Sequence, residues 1–556
     1  MTIAPAVTLG DALREMAQLR PLGIALEISG ETATSFRALH LEAAQIAQRL
    51  EGEGLRQGQG VLIATRHRPR VPALVHGVMM AGGVSVSIEP SMPPAQLRSL
   101  SARAHVAFAL GDPDLIDWLA PKRVAPINPQ RPQDPHIARI DDPPPIVPPL
   151  STPGEHVADG DRVAMVIFTS GSTGSPKGVL LSHRNLLSAA QRMTEMRAHR
   201  PSDRHLAYLS FAHLAELFMS VVIPTVSGHS VVFPRGRRLS EAVAAVRPTF
   251  FMGVPSEWQT LAALSVEMPG RPHELREQLG LDRVRLALST GAPLAQESYA
   301  TLFRLGLPVH EMYGMTETSG AVTYNAPGDS RVGSVGTPLP GSRVQIDPTG
   351  EILLFGETFR CQGYLDDVAA TEELFVGNDG VRTGDLGHLD EEGFLYVTGR
   401  RKDLLVLSTG KKIHPASLEA RLAALPGVRH AVVVGEGRSR LVALLDAAPD
   451  PRLRVAPMTP GELRAHLHVQ VHRLNQELSK HERMVAVGIV PQPFSLQSGE
   501  LTPSLKVKRE TILKNHQPLV DLLWGGQGQA RNATGQAADE TAGSGPNGDI
   551  LRFHDE

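Results

Sequence analysis

The sequence predicts an α/β protein with two folded domains of unequal size, and three observations support this prediction. In residues 8–120 and again from 161 to about 350, stretches with helical spacing of apolar residues alternate with short β-branched runs. From 351 to 399 the pattern changes to short strands and turns, and a smaller region follows "GRRKD" (399–403). We therefore expect a large N-terminal domain of α/β layers with a small β-barrel-like part, and a smaller α+β C-terminal domain.

The first alternating region contains one clear helix and two clear strands. Apolar residues recur at helical spacing in "FRALHLEAAQIAQRLEGEGL" (36–55), whereas "GVLIAT" (60–65) and "GVSVSI" (83–88) are typical of buried strands. Residues 124–153 are rich in proline, which predicts an extended surface connection.

The second alternating region predicts four strands that end in Gly, Pro, Ser or Thr. They lie in "RVAMVIFTS" (162–170), "SVVFPRG" (230–236), "RPTFFMGVP" (247–255) and "VRLALSTGAP" (284–293). Flexible loops at the carboxyl ends of such strands are where open α/β sheets bind ligands.

The remainder of the chain gives the domain limits. "HAVVVGE" (430–436) predicts a strand and "PGELRAHLHVQVHRLNQEL" (460–478) a helix. Residues 525–556 are rich in Gly, Ala, Asn and Gln, with few apolar residues, which predicts a disordered tail. We expect an N-terminal domain at 1–400, a C-terminal domain at 401–524 and the tail at 525–556.

Composition excludes several classes of function. The net charge of −3 leaves no overall basic field for nucleic acid. The only cysteine, Cys361, excludes an intrachain disulfide and a cysteine-based zinc site, which fits a cytoplasmic location. The N-terminal sequence lacks a secretory pattern. The apolar run 217–233 is interrupted by Pro224 and Gly228 and predicts a buried helix and strand rather than a membrane span; peripheral membrane contact stays open.

The segment "TSGSTGSPKG" (169–178) has the composition of a phosphate-binding loop. Backbone amides of a glycine-rich turn can face an anion, hydroxyl groups add donors, and Lys177 adds charge. It is not a Walker A loop, because Pro176 precedes the lysine and Gly178 follows it where a Ser or Thr would be required. A Ser/Gly/Thr-rich turn without function is the alternative interpretation.

The order of further motifs favours function. "FTSGSTGSPKGV" resembles the signature of the adenylate-forming enzymes, which include acyl-CoA synthetases, adenylation domains and luciferases. Further segments similar to that family follow in its order: "STGAPL" (289–294), "HEMYGMTE" (310–317), "RTGDLG" (382–387), "YVTGRRKDLLVLSTGKKIHP" (396–415) and "LTPSLKVKRE" (501–510). The resemblance spans roughly residues 8–520 and implies a small, mobile C-terminal domain attached at a hinge.

The resemblance also implies a two-step reaction. A carboxylate attacks the α-phosphate of ATP and releases pyrophosphate, and the acyl group then moves to a thiol. The loop would hold the β- and γ-phosphates through Thr169, Ser170, Gly171, Ser172, Thr173, Gly174 and Lys177. In the next motif Tyr313 would pack on adenine, Thr316 would contact the α-phosphate, and Glu317 would bind Mg²⁺. Each has a structural alternative, such as a half-buried core aromatic for Tyr313.

The remaining assignments follow the same resemblance. Gly291, Ala292 and Pro293 would border adenine and the acyl group. Asp385 would contact the ribose, Arg400 would contact the ribose or a phosphate, and Asp403 would be the hinge. Lys506 would be the adenylation lysine, although Lys508 is a rival because the two residues share one face of an extended segment.

The acid is indicated by "YLSFAHLAELF" (208–218), which resembles a segment of long-chain acyl-CoA synthetases. His213 would lie near the carboxylate, and Phe211, Phe251, Met252 and Gly253 would line an apolar tunnel. We therefore expect an ATP-dependent acyl-CoA synthetase that uses Mg²⁺ and CoA and acts on a medium- or long-chain fatty acid.

Two alternative functions fit the same motifs. The first is a fatty acyl-AMP ligase that loads an acyl carrier protein, and the second is a catalytically inactive nucleotide-binding regulator. The compact segment 318–382 favours CoA, and retention of the motif residues argues against the regulator.

Overall fold

The computed structural model describes residues 6–31, 33–117, 124–126, 135–140, 145–146, 159–169, 176–195, 199–235, 238–267, 270–447, 459–502, 506–525 and 549–553. The strands up to residue 338 are β1 (Ile24–Ile28), β2 (Thr34–Ser35), β3 (Gly60–Ala64), β4 (Val84–Ser87), β5 (Val106–Gly111), β6 (Val124–Pro126), β7 (His136–Arg139), β8 (Val163–Thr169), β9 (Lys177–Ser182), β10 (Arg204–Leu206), β11 (Ser230–Phe233), β12 (Phe250–Gly253), β13 (Leu286–Ser289), β14 (Val309–Met315), β15 (Gly320–Tyr324) and β16 (Thr337–Pro338).

The helices of the same region are α1 (Leu9–Leu19), α2 (Phe36–Gly52), α3 (Val71–Met80), α4 (Pro94–Arg103), α5 (Pro113–Ile116), α6 (His183–Glu195), α7 (Leu214–Leu217), α8 (Ile223–Ser227), α9 (Leu239–Val246), α10 (Pro255–Glu267), α11 (Pro272–Gln278) and α12 (Gln296–Arg304). A π-helical segment, Phe218–Val222, joins α7 to α8. The run 217–233 is thus helix followed by strand, as predicted, and no helix within the described ranges is long and apolar enough to cross a membrane.

Two large sheets frame the N-terminal region. One has the order β6-β7-β5-β3-β4-β8-β9 and the other the order β16-β15-β14-β13-β12-β10-β11-β1-β2. A single apolar core fills the space between them, with Ile63 and Met165 from one sheet and Phe250 and Leu288 from the other. Separate cores cover the two outer faces, so that helices and sheets alternate in layers.

The prediction that the proline-rich segment is only an extended surface connection is wrong. Residues 124–126 and 136–139 are not a plain connection, because β6 and β7 pair with each other and β7 pairs with β5 in antiparallel register. Ile137 and Ala138 are buried in this pairing. Proline is tolerated here because the two strands form the edge of the sheet, where one row of amides needs no partner.

The region 343–400 forms a five-stranded antiparallel sheet where the sequence predicts a barrel-like part. Its elements are β17 (Arg343–Ile346), β18 (Glu351–Phe355), α13 (Val368–Leu374), β19 (Phe375–Val376), β20 (Gly380–Leu389) and β21 (Leu395–Arg400). A turn of 3-10 helix, Arg401–Asp403, follows β21.

The C-terminal region has its own sheet and two cores. Its elements are β22 (Leu405–Val406), β23 (Lys412–Ile413), α14 (Pro415–Ala423), β24 (Val428–Val434), β25 (Leu441–Ala447), α15 (Pro460–Glu477), β26 (Met484–Ile489), α16 (Arg509–Asn515), α17 (Gln517–Gly525) and β27 (Asp549–Arg552). The sheet order is β24-β25-β26-β27, with one apolar core on each face. The helix α15 begins at a capping box in which Thr459 and Glu462 satisfy each other's backbone amides.

The strand β27 corrects the prediction of a disordered tail. Residues 549–552 pair antiparallel with β26, and Leu551 and Phe553 are buried. The low apolar content of 525–556 as a whole obscured one short segment, "DILRF", in which three of the five residues are apolar. Residues 526–548 and 554–556 lie outside the described residues.

Candidate active site

A single cleft of about 2080 Å³ collects the predicted site residues from both parts of the chain. Those that line it are Thr169, Lys177, His213, Gly291, Ala292, Pro293, Tyr313, Thr316, Glu317, Asp385, Arg400, Asp403 and Lys506. Ser170, Gly171, Ser172, Thr173 and Gly174, which complete the predicted phosphate loop, lie outside the described residues.

The position of the cleft follows from the sheet topology. The strands β10, β12, β13 and β14 are parallel neighbours, so their carboxyl ends meet at one edge. His213 follows β10, Gly291 follows β13, and Tyr313 lies near the end of β14. Residues up to one hundred positions apart in the sequence therefore reach the same space.

Lys177 forms the stem of the predicted loop with Thr169. The two residues are paired across the antiparallel strands β8 and β9. The Lys177 amine lies 4.8 Å from the centre of the Tyr364 ring, and the Tyr364 hydroxyl donates to Oε1 of Glu317 at 2.9 Å. The sequence interpretation missed Tyr364. Tyr364 is brought to Lys177 and Glu317 by an isolated β-bridge to Val179, and no local sequence pattern indicates such a long-range pairing.

Glu317 combines burial with access to the cleft. Burial raises the pKa of its carboxyl, while the Tyr364 hydrogen bond and the charges of Arg400 and Lys177 act in the opposite direction. A cation beside it would favour the ionised form, and a carboxylate oxygen suits Mg²⁺. Throughout the described ranges, no group of three or more His, Cys, Asp or Glu side chains could hold a metal. The Glu317 carboxylate fits a magnesium ion whose other ligands are phosphate oxygens and water.

Tyr313, Asp385 and Arg400 form a connected polar group. The Tyr313 hydroxyl donates to Oδ2 of Asp385 at 2.7 Å, and Nε of Arg400 lies 3.2 Å from Oδ1 of the same carboxylate. Asp385 and Arg400 face each other across β20 and β21. Burial and the neighbouring Asp385 charge raise the pKa of Tyr313, which keeps its hydroxyl a donor. The Asp385 carboxylate is thus positioned by Tyr313, which lies on a strand of a different sheet.

Glu351 supports the turn that carries Asp385 and was not among the predicted site residues. Its carboxylate accepts from Nη1 of Arg382 at 3.1 Å and from the amide of Gly384 at 3.0 Å, and Nη1 of Arg401 lies 3.3 Å away. Gly384 has φ of +69°, a left-handed conformation that glycine adopts readily. This buried carboxylate links the Asp385 turn to the segment Arg401–Asp403.

The turn after β13 is fixed by bonds to β14. The Thr290 hydroxyl donates to the Met312 carbonyl at 3.2 Å, and the amide of Leu294 donates to Oε1 of Glu311 at 3.0 Å. Burial raises the pKa of Glu311 to about 7. Gly291, at the top of the turn, has φ of +92° and is exposed to the cleft.

Lys506 reaches this turn from the C-terminal region. A Cβ placed on Gly291 would lie 3.5 Å from both Cε and Nζ of Lys506. Burial, followed by the charge of Arg400, lowers the pKa of the amine to about 8. Protein surrounds the side chain on several sides, although solvent reaches it through the cleft. Lys508 also lines the cleft, at the start of α16, but no atom of it lies within 4 Å of that Gly291 position.

His213 is held at the start of α7. Its Nδ1 accepts from the amide of Ala215 at 3.1 Å. Burial, and then the charge of Lys506, lowers its pKa to about 4. The imidazole is therefore neutral at pH 7, with Nδ1 occupied and only Nε2 available to another group.

The predicted apolar lining is correct only in part. Met252 and Gly253 line the cleft, but Phe251 is fully buried and packs against Trp258 at a ring distance of 5.0 Å. Successive side chains of β12 alternate between the faces of the sheet, and this places Phe251 in the outer core. Phe211 lines a smaller adjoining cavity of about 260 Å³ instead. Cys361 is buried outside the lining of the cleft, and burial raises its pKa to about 12.

Comparison with known proteins identifies the family of the chain. The AMP-binding enzyme family matches residues 13–365, and the AMP-binding enzyme C-terminal domain matches residues 402–527. The long-chain-fatty-acid–CoA ligase FadD15 of Mycobacterium tuberculosis is 30% identical over 65% of this chain and 69% of that protein. The long-chain-fatty-acid–CoA ligase ACSBG2 of Mus musculus is 27% identical over 66% of this chain and 67% of that protein.

A solved structure shares the fold. The o-succinylbenzoate coenzyme A synthetase MenE of Bacillus subtilis, determined in complex with ATP and a magnesium ion, aligns with a TM-score of 0.69 at 23% identity over 90% of this chain and 98% of that one. Since the AMP-binding enzyme family matches more than half of the sequence, the chain belongs to that family and is an adenylate-forming ligase that resembles the fatty acyl-CoA synthetases.

Proposed function

We propose that the protein is an ATP-dependent acyl-CoA synthetase that activates a medium- or long-chain fatty acid. One observation carries this proposal: Lys506 of the C-terminal region lies against Gly291, in the same cleft as Glu317 and Asp385. A lysine between the acid and the nucleotide is what acyl adenylation requires, because both reactants are anionic. The named roles of the site residues are part of this proposal.

In the first step, a carboxylate oxygen attacks the α-phosphorus of ATP and the bond to pyrophosphate breaks. Lys506 would neutralise charge between the carboxylate and the α-phosphate, and Thr316 would donate to the same phosphate. Lys177 would hold the β- and γ-phosphates as they depart, with Glu317 binding the accompanying Mg²⁺. Positioning and charge neutralisation account for this catalysis without a protein nucleophile.

The nucleoside would be held by the polar group already described. Tyr313 would pack on adenine, and Asp385 would accept from the ribose hydroxyls while Arg400 holds its other carboxylate oxygen. Tyr313 donates to Asp385, and this bond orients the acceptor. An oriented acceptor lowers the entropic cost of binding.

In the second step, an external thiol attacks the acyl carbonyl and AMP departs. The C-terminal region would turn at Asp403, which lies in the 3-10 turn between β21 and β22. Lys411 and Lys412 are exposed and would be available to the phosphates of CoA. Cys361 takes no part, since it is buried outside the cleft lining and its thiolate is disfavoured.

A fatty acid is supported by the cleft wall and by the relatives. Apolar side chains of Phe218, Met219, Phe233, Met252 and Met312 line the cleft, as an alkyl chain requires. FadD15 and ACSBG2 are both named long-chain-fatty-acid–CoA ligases.

The experiment is to measure AMP release with acids from acetate to stearate and with aryl acids, each in the presence of CoA or of a holo acyl carrier protein. The proposal expects AMP and acyl-CoA in equal amounts, with the highest kcat/KM for acids of about eight carbons or more. Acyl-carrier-protein formation without acyl-CoA would instead establish the fatty acyl-AMP ligase. An aryl acid preferred over every alkyl acid would overturn the proposed substrate.

A further inference from the structure

The C-terminal strand β27 closes an open edge of the C-terminal sheet. It pairs antiparallel with β26, with Leu551 opposite Val487 and Ile550 opposite Gly488. Without it, β26 would be an edge strand with a row of unpaired backbone groups beside two apolar cores. The family's C-terminal domain matches residues 402–527, so this strand lies beyond the matched segment.

Side chains on both faces of β27 contribute to the packing. Leu551 and Phe553 belong to the core on the α15 side, where the Phe553 ring stacks on His468 at 5.0 Å. Ile550, on the opposite face, packs against the core on the α17 side. A five-residue segment therefore completes two cores at once, as expected of a strand with alternating orientation.

Polar contacts fix the register of the strand. Arg464 and His468 on α15 bond to the carbonyl oxygens of Ile550 and Arg552, each at 3.3 Å. The Arg552 guanidinium donates to the Leu522 carbonyl of α17 at 3.1 Å. These bonds tie β27 to both flanking helices.

The connection to this strand is longer than its position requires. Arg552 contacts α17, which ends at Gly525, yet residues 526–548 lie between the helix and the strand. The strand is therefore held by its own backbone pairing with β26 and its contact with α17, although it is far from the helix along the chain.

We propose that the edge of β26 is a β-augmentation site that the segment 549–553 of the same chain fills. The strand is a cap that completes the C-terminal region and keeps its sheet edge from pairing with another molecule. Backbone pairing supplies the affinity, and the buried positions of Leu551 and Phe553 supply the selectivity.

The test compares the full chain with a chain ending at residue 527, using a fluorescent peptide of residues 548–554, "GDILRFH". The truncated chain is expected to bind the peptide one to one, to lose several degrees of Tm without it, and to regain them with it. The full chain is expected to bind at least tenfold more weakly, since its site is filled. A peptide carrying Leu551→Asp is the matched control and should not bind.

Two results would overturn the proposal. One is absence of peptide binding to the truncated chain at 1 mM peptide with an unchanged Tm, and the other is equal binding to both chains. If the truncated chain does not fold, amide hydrogen exchange is measured on the full-length Leu551→Asp variant instead. The amides of residues 486–489 should exchange at least tenfold faster in this variant than in the unmodified protein. An unchanged exchange rate at these residues would refute the proposal that β27 caps the sheet.

Discussion

At the scale of single residues, the cleft brings a lysine of the C-terminal region close to charged side chains of the N-terminal part. Lys506 comes from the C-terminal region, whereas Glu317, Asp385 and Arg400 belong to the N-terminal part. Burial and Arg400 lower the pKa of the lysine, while Asp385 and Glu317 oppose the shift. The charge state of the amine therefore depends on its position relative to these groups.

Removal of the Lys506 amine should separate the two half-reactions. We expect Lys506→Ala to slow acyl-adenylate formation by about 10²–10³-fold, as for the loss of a charge-stabilising donor. Thioester formation from supplied acyl-adenylate should remain within about threefold of the unmodified enzyme. ATP–pyrophosphate exchange and single-turnover thioester assays measure the two rates. Lys508→Ala is the matched control, and normal exchange in Lys506→Ala together with its loss in Lys508→Ala would reverse the assignment.

The lowered pKa of Lys506 gives adenylation an alkaline limit. An amine with a pKa of about 8 loses its proton as the pH rises through 8, whereas an ordinary lysine stays charged to about pH 10. The adenylation rate should thus decline above pH 8. The Lys506→Arg variant should have a lower adenylation rate, but this rate should not decline above pH 8, because a guanidinium stays charged. A pH–rate profile that stays flat to pH 9.5 in the unmodified enzyme would contradict this.

At the scale of elements, the short turn Arg401–Asp403 stands between β21 and β22 and links the two parts of the chain. Glu351 holds Arg401 on the N-terminal side. Beyond the turn, Leu405 is already part of the C-terminal core. The backbone between these anchors is short, which limits any rotation of the C-terminal region to very few residues.

A proline at position 403 should restrict that rotation. Proline fixes φ near −65°, which a 3-10 turn accepts, so Asp403→Pro should keep the present arrangement and resist others. We expect thioester formation to slow by about tenfold or more and adenylation by less than about threefold. Asp403→Ala, which leaves φ free, serves as the control. Equal losses in both half-reactions would argue against a hinge at this residue.

At the scale of the whole molecule, three histidines are enclosed in the N-terminal domain, close to the strands that support the cleft. His199, His205 and His229 are all buried, and His199 lies against Phe250 at a ring distance of 4.4 Å. Burial lowers the pKa of His229 to about 4 and of His205 to about 3. Ser227 and the Met219 carbonyl bond to His229, and Glu216 lies 4.0 Å from His205.

This cluster should make the fold sensitive to acid. The unfolded chain binds protons at these histidines below about pH 6.5, whereas the folded-state pKa is about 4 for His229 and about 3 for His205, so stability falls as the pH drops below about 6.5. Each group contributes up to about 1.4 kcal/mol per pH unit. His205→Leu should flatten the slope of unfolding free energy against pH by about that amount in urea titrations between pH 6 and 4.5. Exposed His273→Leu is the control, and an unchanged slope in His205→Leu would contradict the account.

Much of the architecture was predictable from local pattern. The helix α2 and the strands β3, β4, β8, β11, β12 and β13 all fall within segments identified by periodicity. The apolar pattern predicts these elements correctly because each of them either buries one face or is buried on all sides. The pattern did not predict β7 and β27, because these short strands are identified only by their pairing with a neighbouring strand.

The sequence by itself determined the family, the order of the motifs and the residue types at the cleft, since these depend on the identity of nearby residues. Only the tertiary structure decided that Tyr364 contacts Glu317, that Lys506 rather than Lys508 approaches Gly291, and that Phe251 faces away from the cleft. Strand pairing and sheet faces set those relations between segments that are distant along the chain. No local pattern encodes such contacts, because their energy comes from burial and pairing that exist only after the layers have assembled.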